Sequence, residues 1–177
     1  MEKQGGQRQA LIRLGMLGPS LNGPDRYPFM ILDNLLGLAS GRISTEIRAK
    51  RGLAYTAGSG LATFSDTGAW MAGAGTDPQN IDQVIILLLG EMKKVREEPL
   101  TKEELEGAIG NFSGRQILSD ESNAATAQKL ARREVLELME SDESTLERLK
   151  QIAPEDVIRV AQKYFDSERY VIVVVKP

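Results

Sequence analysis

A helix that stops at a glycine and turns directly into a strand, at residues 40–55, constrains the fold of this chain more than any other stretch. Ile43 and Ile47 lie one helical turn apart and predict a short helix with one apolar face. Ser40 stands where a side chain can accept a hydrogen bond from the first turn. Gly52 follows two basic residues, where a helix commonly ends in the left-handed conformation that suits glycine. The stretch therefore predicts a capped helix, a tight reversal and a strand.

Two polar side chains flank this reversal. Arg48 falls on the last helical turn and Tyr55 opens the strand, so the turn can bring a guanidinium and a phenol to the same point. Spacing alone does not decide their role. Arg48 is also suited to satisfying helix carbonyls or Glu46, and Tyr55 to packing as an amphipathic strand residue.

The rest of the chain alternates between strand and helix patterns in an order that predicts the fold class. The order is one strand, two helices, a hairpin, a run of helices and a final strand. We expect an α+β architecture, with a largely antiparallel sheet of about four strands and helices mostly on one face. The predicted strands are residues 9–17, 53–63, 67–75 and 170–175; the predicted helices are residues 27–38, 40–51, 77–98, 101–120, 123–139, 144–151 and 154–165.

Several burial expectations follow from the apolar pattern. The first and last strands are apolar at nearly every position, which predicts burial on both faces and an interior place for the last strand. Trp70 is expected in the core or at an interface. The helix at 123–139 is expected to turn one apolar face inward and one charged face to solvent. Its predicted inward residues are Ala127, Leu130, Ala131, Val135 and Leu138; its predicted solvated residues are Arg132, Arg133, Glu134 and Glu137.

Composition narrows the possible functions. The 177 residues suit one domain, 1–177, in which residues 1–8 are expected to be disordered or a linker. The net charge of −3 carries no basic block, so no nucleic acid is expected as a partner, and no apolar run is long enough to predict a membrane span. The chain has no cysteine and no histidine. Since zinc hydrolases hold their metal mainly through imidazole, we expect neither a metal site nor a cofactor in this chain.

Four segments resemble one known family. They are residues 48–55, which read Arg-Ala-Lys-Arg-Gly-Leu-Ala-Tyr, and residues 66–68, 100–105 and 154–157. These segments are similar to the second half of insulinase/pitrilysin-type zinc metallopeptidases, the family that includes the mitochondrial processing peptidases. The resemblance covers residues 7–177.

The resemblance implies that the two halves of such a peptidase have different roles. In the family, one half carries zinc on a His-x-x-Glu-His motif, and the two halves close around an extended peptide. By matching position, Arg48 and Tyr55 would reach toward the carbonyl of the peptide bond that is cleaved. The implied partners are a catalytic half, in the same longer chain or as a separate subunit of a homo- or heterodimer, and a peptide substrate. Zinc would belong to the partner half, because this chain lacks histidine.

Two other functions stay open at this point. Some family members have lost proteolysis and serve as structural subunits of larger complexes. A free-standing peptide-binding module is the third possibility, since a sheet rich in small residues can accept a further strand at its edge. A His-x-x-Glu-His half encoded next to this chain would favour the peptidase. The sequence leaves the substrate and the compartment open.

Overall fold

The computed structural model describes residues 9–136, 141–166 and 168–177. The expectation for residues 1–8 lies outside these ranges. The strands are β1 (Ala10–Gly18), β2 (Ala54–Thr63), β3 (Gly68–Thr76) and β4 (Val171–Val175). The helices are α1 (Arg26–Gly37), α2 (Arg42–Ser44), which continues into a π-helical turn (Thr45–Ala49), α3 (Ile81–Glu97), which follows a 3-10 turn (Pro78–Asn80), α4 (Lys102–Asp120), α5 (Asn123–Val135), α6 (Asp142–Lys150) and α7 (Pro154–Tyr164).

The four strands form one antiparallel sheet in the order β2-β3-β1-β4. Strands β2 and β3 are the predicted hairpin, and β1 lies between β3 and β4, where Leu11 pairs with Val175. The α+β architecture predicted from the sequence is confirmed. None of the helices in the described part of the chain combines the length and apolarity of a membrane-spanning segment.

Among the residues that the structure describes, helices cover one face of the sheet and leave the other open. Along β1, Ile12 and Leu14 are buried, whereas Leu17 on the other face is 72% exposed. In β4, Val171 and Val173 are exposed in the same alternating way. The predicted burial of both faces is therefore wrong, and β4 is an edge strand rather than an interior one. A dense run of apolar residues is typical of strands that are covered on both faces, as in parallel sheets. In this sheet the same pattern occurs in strands that leave one face open.

The core lies between the covered face and the helices. Trp70 of β3 has no exposed surface, its ring centroid lies 4.6 Å from that of Phe165, and its indole Nε1 donates to Asp33 Oδ1 of α1 at 2.8 Å. Phe29 of α1 packs edge-on against Phe165 at 5.8 Å. The predicted core position of Trp70 is confirmed.

The helix starts differ in how they are capped. Thr101 and Glu104 form the capping box at the start of α4: the Glu104 amide donates to Thr101 Oγ1 and the Thr101 amide donates to Glu104 Oε2. Ser40 is not the cap of α2. Gly41 occupies that position, and no side chain caps the helix there. At α7, Ala153 has no capping oxygen, and only the reverse bond forms, from its amide to Asp156 Oδ2 at 3.1 Å.

Helix α5 contradicts the predicted inward face. Leu130 is 56% exposed and Val135 is 79% exposed, and no residue of α5 is fully buried. Arg133, expected in solvent, is instead partly buried and paired with Asp142 of α6. Arg132 and Glu134 are exposed, as predicted, whereas Lys129 is partly buried beside Arg133. Helical periodicity identifies an apolar stripe but not the element that covers it. The predictions for Glu137, Leu138 and Met139 lie outside the described residues.

Candidate functional site

The helix that carries Arg48 is not a regular α-helix. After α2 the chain widens into the π-helical turn Thr45–Ala49, in which the Lys50 amide donates to the carbonyl of Thr45, five residues earlier, at 2.9 Å. The apolar spacing of the sequence gave no sign of this turn. Single π-turns interrupt a helix and are often found at functional sites.

Gly52 ends the turn in the predicted left-handed conformation, with φ of 62°. Its amide donates to the carbonyl of Arg48 at 3.0 Å, and the Leu53 amide donates to the carbonyl of Ile47 at 2.9 Å. These bonds satisfy carbonyls that the helix end would otherwise leave free. The strand therefore starts directly against the last turn of the helix.

Tyr55 occupies an irregularity at the start of β2. The pairing with β3 passes from Ala54 opposite Thr76 to Thr56 opposite Gly75, so Tyr55 is an additional residue that interrupts the register. Its side chain is 77% exposed. A bulge of this kind bends the strand and re-aims a side chain, and bulges are frequent beside active sites.

The structure places Arg48 and Tyr55 on the two arms of one tight reversal. Both side chains are exposed, and neither forms a hydrogen bond or an ion pair with any residue of the described ranges. The two are therefore available to a molecule outside the chain. That they act together on a peptide carbonyl stays a prediction.

Ion pairs fix the segment that carries Arg48 to the rest of the molecule. Arg42, at the start of α2, donates through Nε and Nη2 to the two carboxylate oxygens of Glu104, at 2.8 Å each. This bond holds the pKa of Glu104 below its usual value. Glu46 is buried and pairs with Lys50 at 3.0 Å and with Arg51, and the hydrogen bond from Lys50 lowers its pKa. Arg42 thus supports the turn from its position at the start of α2.

A shallow groove of about 500 Å³ adjoins the strand that Tyr55 opens. Its floor is formed by small residues of β2 and β3, among them Gly58, Gly60 and Gly73. Arg13 of β1 lies across Gly73, where an added Cβ would stand 2.3 Å from the guanidinium. The groove lies at the β2 edge of the sheet, and Leu61 and Met71 are the larger apolar side chains that line it.

The donor chemistry of the chain does not fit zinc. Its sequence contains neither histidine nor cysteine. Within the described ranges, no three carboxylates converge on a point where a metal ion could be held. Zinc in proteins is bound mainly through imidazole, thiolate and single carboxylates, so a zinc-dependent reaction needs another chain or domain.

Comparison with known proteins places the chain in a family. The sequence pattern of the peptidase M16 inactive domain matches residues 1–112, more than half of the chain. The chain belongs to the peptidase M16 inactive-domain family. An "uncharacterized zinc protease" of Streptomyces coelicolor is 32% identical to this M16 domain over 157 residues, which is 87% of the chain and 34% of the relative. The domain spans about 34% to 42% of the length of the curated relatives it matches.

Solved structures agree in fold. The peptidase M16 inactive domain from Pseudomonas fluorescens is 24% identical, with a TM-score of 0.83 over 96% of this chain and 41% of that one. A chain of complex III2 from Candida albicans is 17% identical, with a TM-score of 0.85 over 97% of this chain and 43% of that one. At these identities the likeness shows the M16 fold alone.

Proposed function

We propose that this M16 inactive domain is the second half of a zinc metalloendopeptidase. It pairs with a half that carries a His-x-x-Glu-His motif, and the two enclose an extended peptide. The observation that carries the proposal is the exposed, unpaired Arg48 and Tyr55 on one rigid turn of a domain that has no histidine. Relatives named zinc proteases, more than twice as long as this domain, support a catalytic portion outside it.

The chemistry assigned to Tyr55 is hydrogen-bond donation. When a peptide bond is hydrolysed, negative charge develops on the carbonyl oxygen, and a phenol O–H aimed at that oxygen stabilises the transition state. The bulge at Tyr55 and the hydrogen-bonded turn before it fix the backbone that carries the phenol before substrate arrives. Such preorganisation makes the bond stronger in the transition state than in the ground state.

The role that we assign to Arg48 is to orient the substrate. Its guanidinium carries several donors in a fixed plane, which suits a peptide carbonyl or the oxygen of a neighbouring phenol. The Gly52 amide holds the Arg48 carbonyl, so the backbone beneath the side chain is fixed. The zinc of the partner half would supply the activated water.

The decisive experiment measures cleavage of a quenched peptide library by this domain alone, the candidate catalytic half alone and the two together. We expect activity only in the mixture. Tyr55→Phe removes one donor and should lower kcat by about 100-fold or more, with a smaller effect on KM. Arg48→Lys retains the charge but loses the planar donors and should raise KM.

The matched control is Tyr170→Phe. Tyr170 directly precedes β4, at the edge of the sheet opposite β2, and its exposed side chain also carries a phenol. The Tyr170→Phe substitution should leave kcat unchanged. Full activity of Tyr55→Phe in a mixture that assembles would show that the phenol has no catalytic role. No activity in such a mixture would reject the peptidase.

A structural role in a larger assembly is the second candidate, and two observations favour it. The fold matches a chain of complex III2 with a TM-score of 0.85. The open face of the sheet also exposes apolar side chains such as Leu17, Met71 and Val173, as a contact surface would. In this case the domain would co-purify with a stable partner, and the Tyr55→Phe variant would leave every measured property of that assembly unchanged.

A further inference from the structure

The π-helical turn Thr45–Ala49 differs from a regular helix in where one amide donates. In an α-helix the Lys50 amide would donate to the carbonyl of Glu46, four residues earlier. Here it donates to the carbonyl of Thr45 instead, at 2.9 Å. Carbonyl groups of a folded chain need a hydrogen-bond donor, and most of them find one. The Glu46 carbonyl therefore needs a donor from outside the helical pattern.

The side chain of Arg51 is that donor. Its Nη1 donates to the Glu46 carbonyl oxygen at 3.1 Å and also to Oε1 of the Glu46 carboxylate. One guanidinium nitrogen thus joins the main chain and the side chain of a residue five positions earlier. In an α-helix, side chains three and four positions apart are neighbours, whereas a partner at five positions suits the wider π-turn. The pairing therefore favours the π-turn over a regular helix.

Glu46 is placed to keep this contact. It is 9% exposed, and its second carboxylate oxygen, Oε2, pairs with Lys50 at 3.0 Å. A buried carboxylate costs free energy unless cations and hydrogen bonds compensate it, so Glu46 stays bonded to both partners. Arg48, two positions along the chain, lies on another side of the helix and is exposed. Glu46 thus takes up the two neighbouring cations and leaves the Arg48 guanidinium available.

The π-turn sets the position of both candidate site residues. Arg48 lies inside the turn, and the additional residue of a π-turn places it at a different angle around the helix axis than an α-helix would. The Arg48 carbonyl accepts from the Gly52 amide, and the next amide, that of Leu53, also donates back into the turn. The chain that leads to Tyr55 is therefore bonded to the same turn.

We propose that Arg51 and Glu46 are positioning residues, which together hold the π-turn and thereby the direction in which Arg48 meets a peptide substrate. Neither residue touches the substrate; both act through Arg48. The role in catalysis rests on the proposed peptidase function, whereas the hold on the turn does not. The competing explanation is an ion pair that stabilises the fold and has no effect on the site.

A second buried ion pair in the protein provides the matched control. Arg159 of α7 donates to the buried carboxylate of Asp25 at 2.7 Å, much as Arg51 donates to that of Glu46. This bond joins two side chains and no carbonyl of a helical turn. Arg159→Gln and Arg51→Gln therefore remove the same group from a buried acid, but only Arg51→Gln also removes the donor of the Glu46 carbonyl.

Amide hydrogen exchange of the folded domain, followed by NMR for each residue, tests the hold on the turn. We expect the Lys50 amide to exchange about tenfold faster in Arg51→Gln, as for the loss of one hydrogen bond to a charged group. Arg51→Lys keeps the charge without the planar donors and should have a smaller effect. Arg159→Gln should leave the exchange of the Lys50 amide unchanged. Circular dichroism confirms that each variant is folded.

Cleavage by the domain mixed with the candidate catalytic half tests the consequence for the site. We expect Arg51→Gln to raise KM about tenfold and to change kcat less, because a misdirected Arg48 orients the peptide poorly. In an Arg48→Ala background the same substitution should have little further effect, since a positioning residue acts only through the residue that it positions. Arg159→Gln should lower stability and leave KM unchanged.

The outcomes separate this proposal from the peptidase itself. Unchanged exchange of the Lys50 amide in Arg51→Gln would overturn the proposal. Faster exchange with an unchanged KM would overturn it as well, and so would an equal rise in KM in the Arg48→Ala background. A parent mixture that assembles but cleaves nothing would reject the peptidase, and the exchange of the Lys50 amide would still decide whether Arg51 and Glu46 hold the turn.

Discussion

Replacing Gly52 by alanine tests whether the turn beneath Arg48 is set by backbone conformation. Gly52 has φ of 62°, and a Cβ added there would meet no other atom within 4 Å. The cost is therefore conformational rather than steric. A left-handed conformation costs an alanine roughly 1–2 kcal/mol, and the lower entropy of the unfolded alanine chain offsets about 0.4–1 kcal/mol of this. We expect a net destabilisation of about 1 kcal/mol, or a decrease in Tm of about 2–4 °C for a domain of this size.

Gly90 provides the matched control. It lies in the middle of α3, where a Cβ would also meet nothing within 4 Å, but its backbone is helical. Gly90→Ala should therefore stabilise the protein by about 0.5–1 kcal/mol. The same substitution, glycine to alanine, is therefore expected to lower the free energy of unfolding at position 52 and to raise it at position 90.

Urea unfolding followed by circular dichroism measures both free energies under one set of conditions. The free energy of unfolding of Gly52→Asn should lie between those of the parent protein and Gly52→Ala, because asparagine tolerates the left-handed region better than alanine does. A Gly52→Ala protein as stable as the parent would refute the argument. A loss beyond about 3 kcal/mol would also refute it, since only an atomic clash or a rearranged turn could cause so much.

Three further outcomes follow from the contacts. Trp70→Ala should destabilise the protein by about 3–5 kcal/mol in urea unfolding, because the indole is fully buried and Asp33 also loses a donor. Burial opposes ionisation of Asp25, but the hydrogen bonds from the lysine, arginine and tyrosine of α7 outweigh it and lower its pKa. Its contribution to stability is therefore complete above its unfolded pKa, near 3.8, and is lost as the pH falls through its lower folded pKa; Asp25→Asn should flatten that part of a stability-versus-pH curve. Glu104→Gln breaks the two-pronged bond to Arg42 and should cost about 1–2 kcal/mol, with a double-mutant cycle against Arg42→Gln showing strong coupling.

Features set by neighbouring residues could be predicted from the sequence. The turn at Gly52 needs a residue in the left-handed backbone conformation, and a glycine after two basic residues predicts such a turn. The capping box of Thr101 and Glu104 joins atoms three residues apart, so its pattern is visible without a structure. The order of strand and helix patterns likewise predicted the α+β class, because each pattern depends on residues that are close together in the sequence.

Features set by distant residues could not be predicted. The inward side of α5 depends on Asp142 and on helices α1 and α4, which the periodicity of α5 does not report. Burial on one face of β1 depends on where the helices lie, not on the apolar content of the strand. The π-turn before Arg48 and the bulge at Tyr55 both add a residue to a regular pattern, and each changes where a candidate site residue points. Of the candidate site, the sequence predicted the residues but not the irregular backbone that presents them.

The strand order has a consequence for how the protein is made. Strand β1 leaves the ribosome well before its neighbour β4, because the two strands are far apart in the sequence. Until then one edge of β1 has no strand partner, and an open edge can pair with another chain. Pairing of strands so far apart in sequence is also slow, because the ends of a very long loop must meet. A nascent or shortened chain without β4 should therefore depend on chaperones far more than the finished domain does.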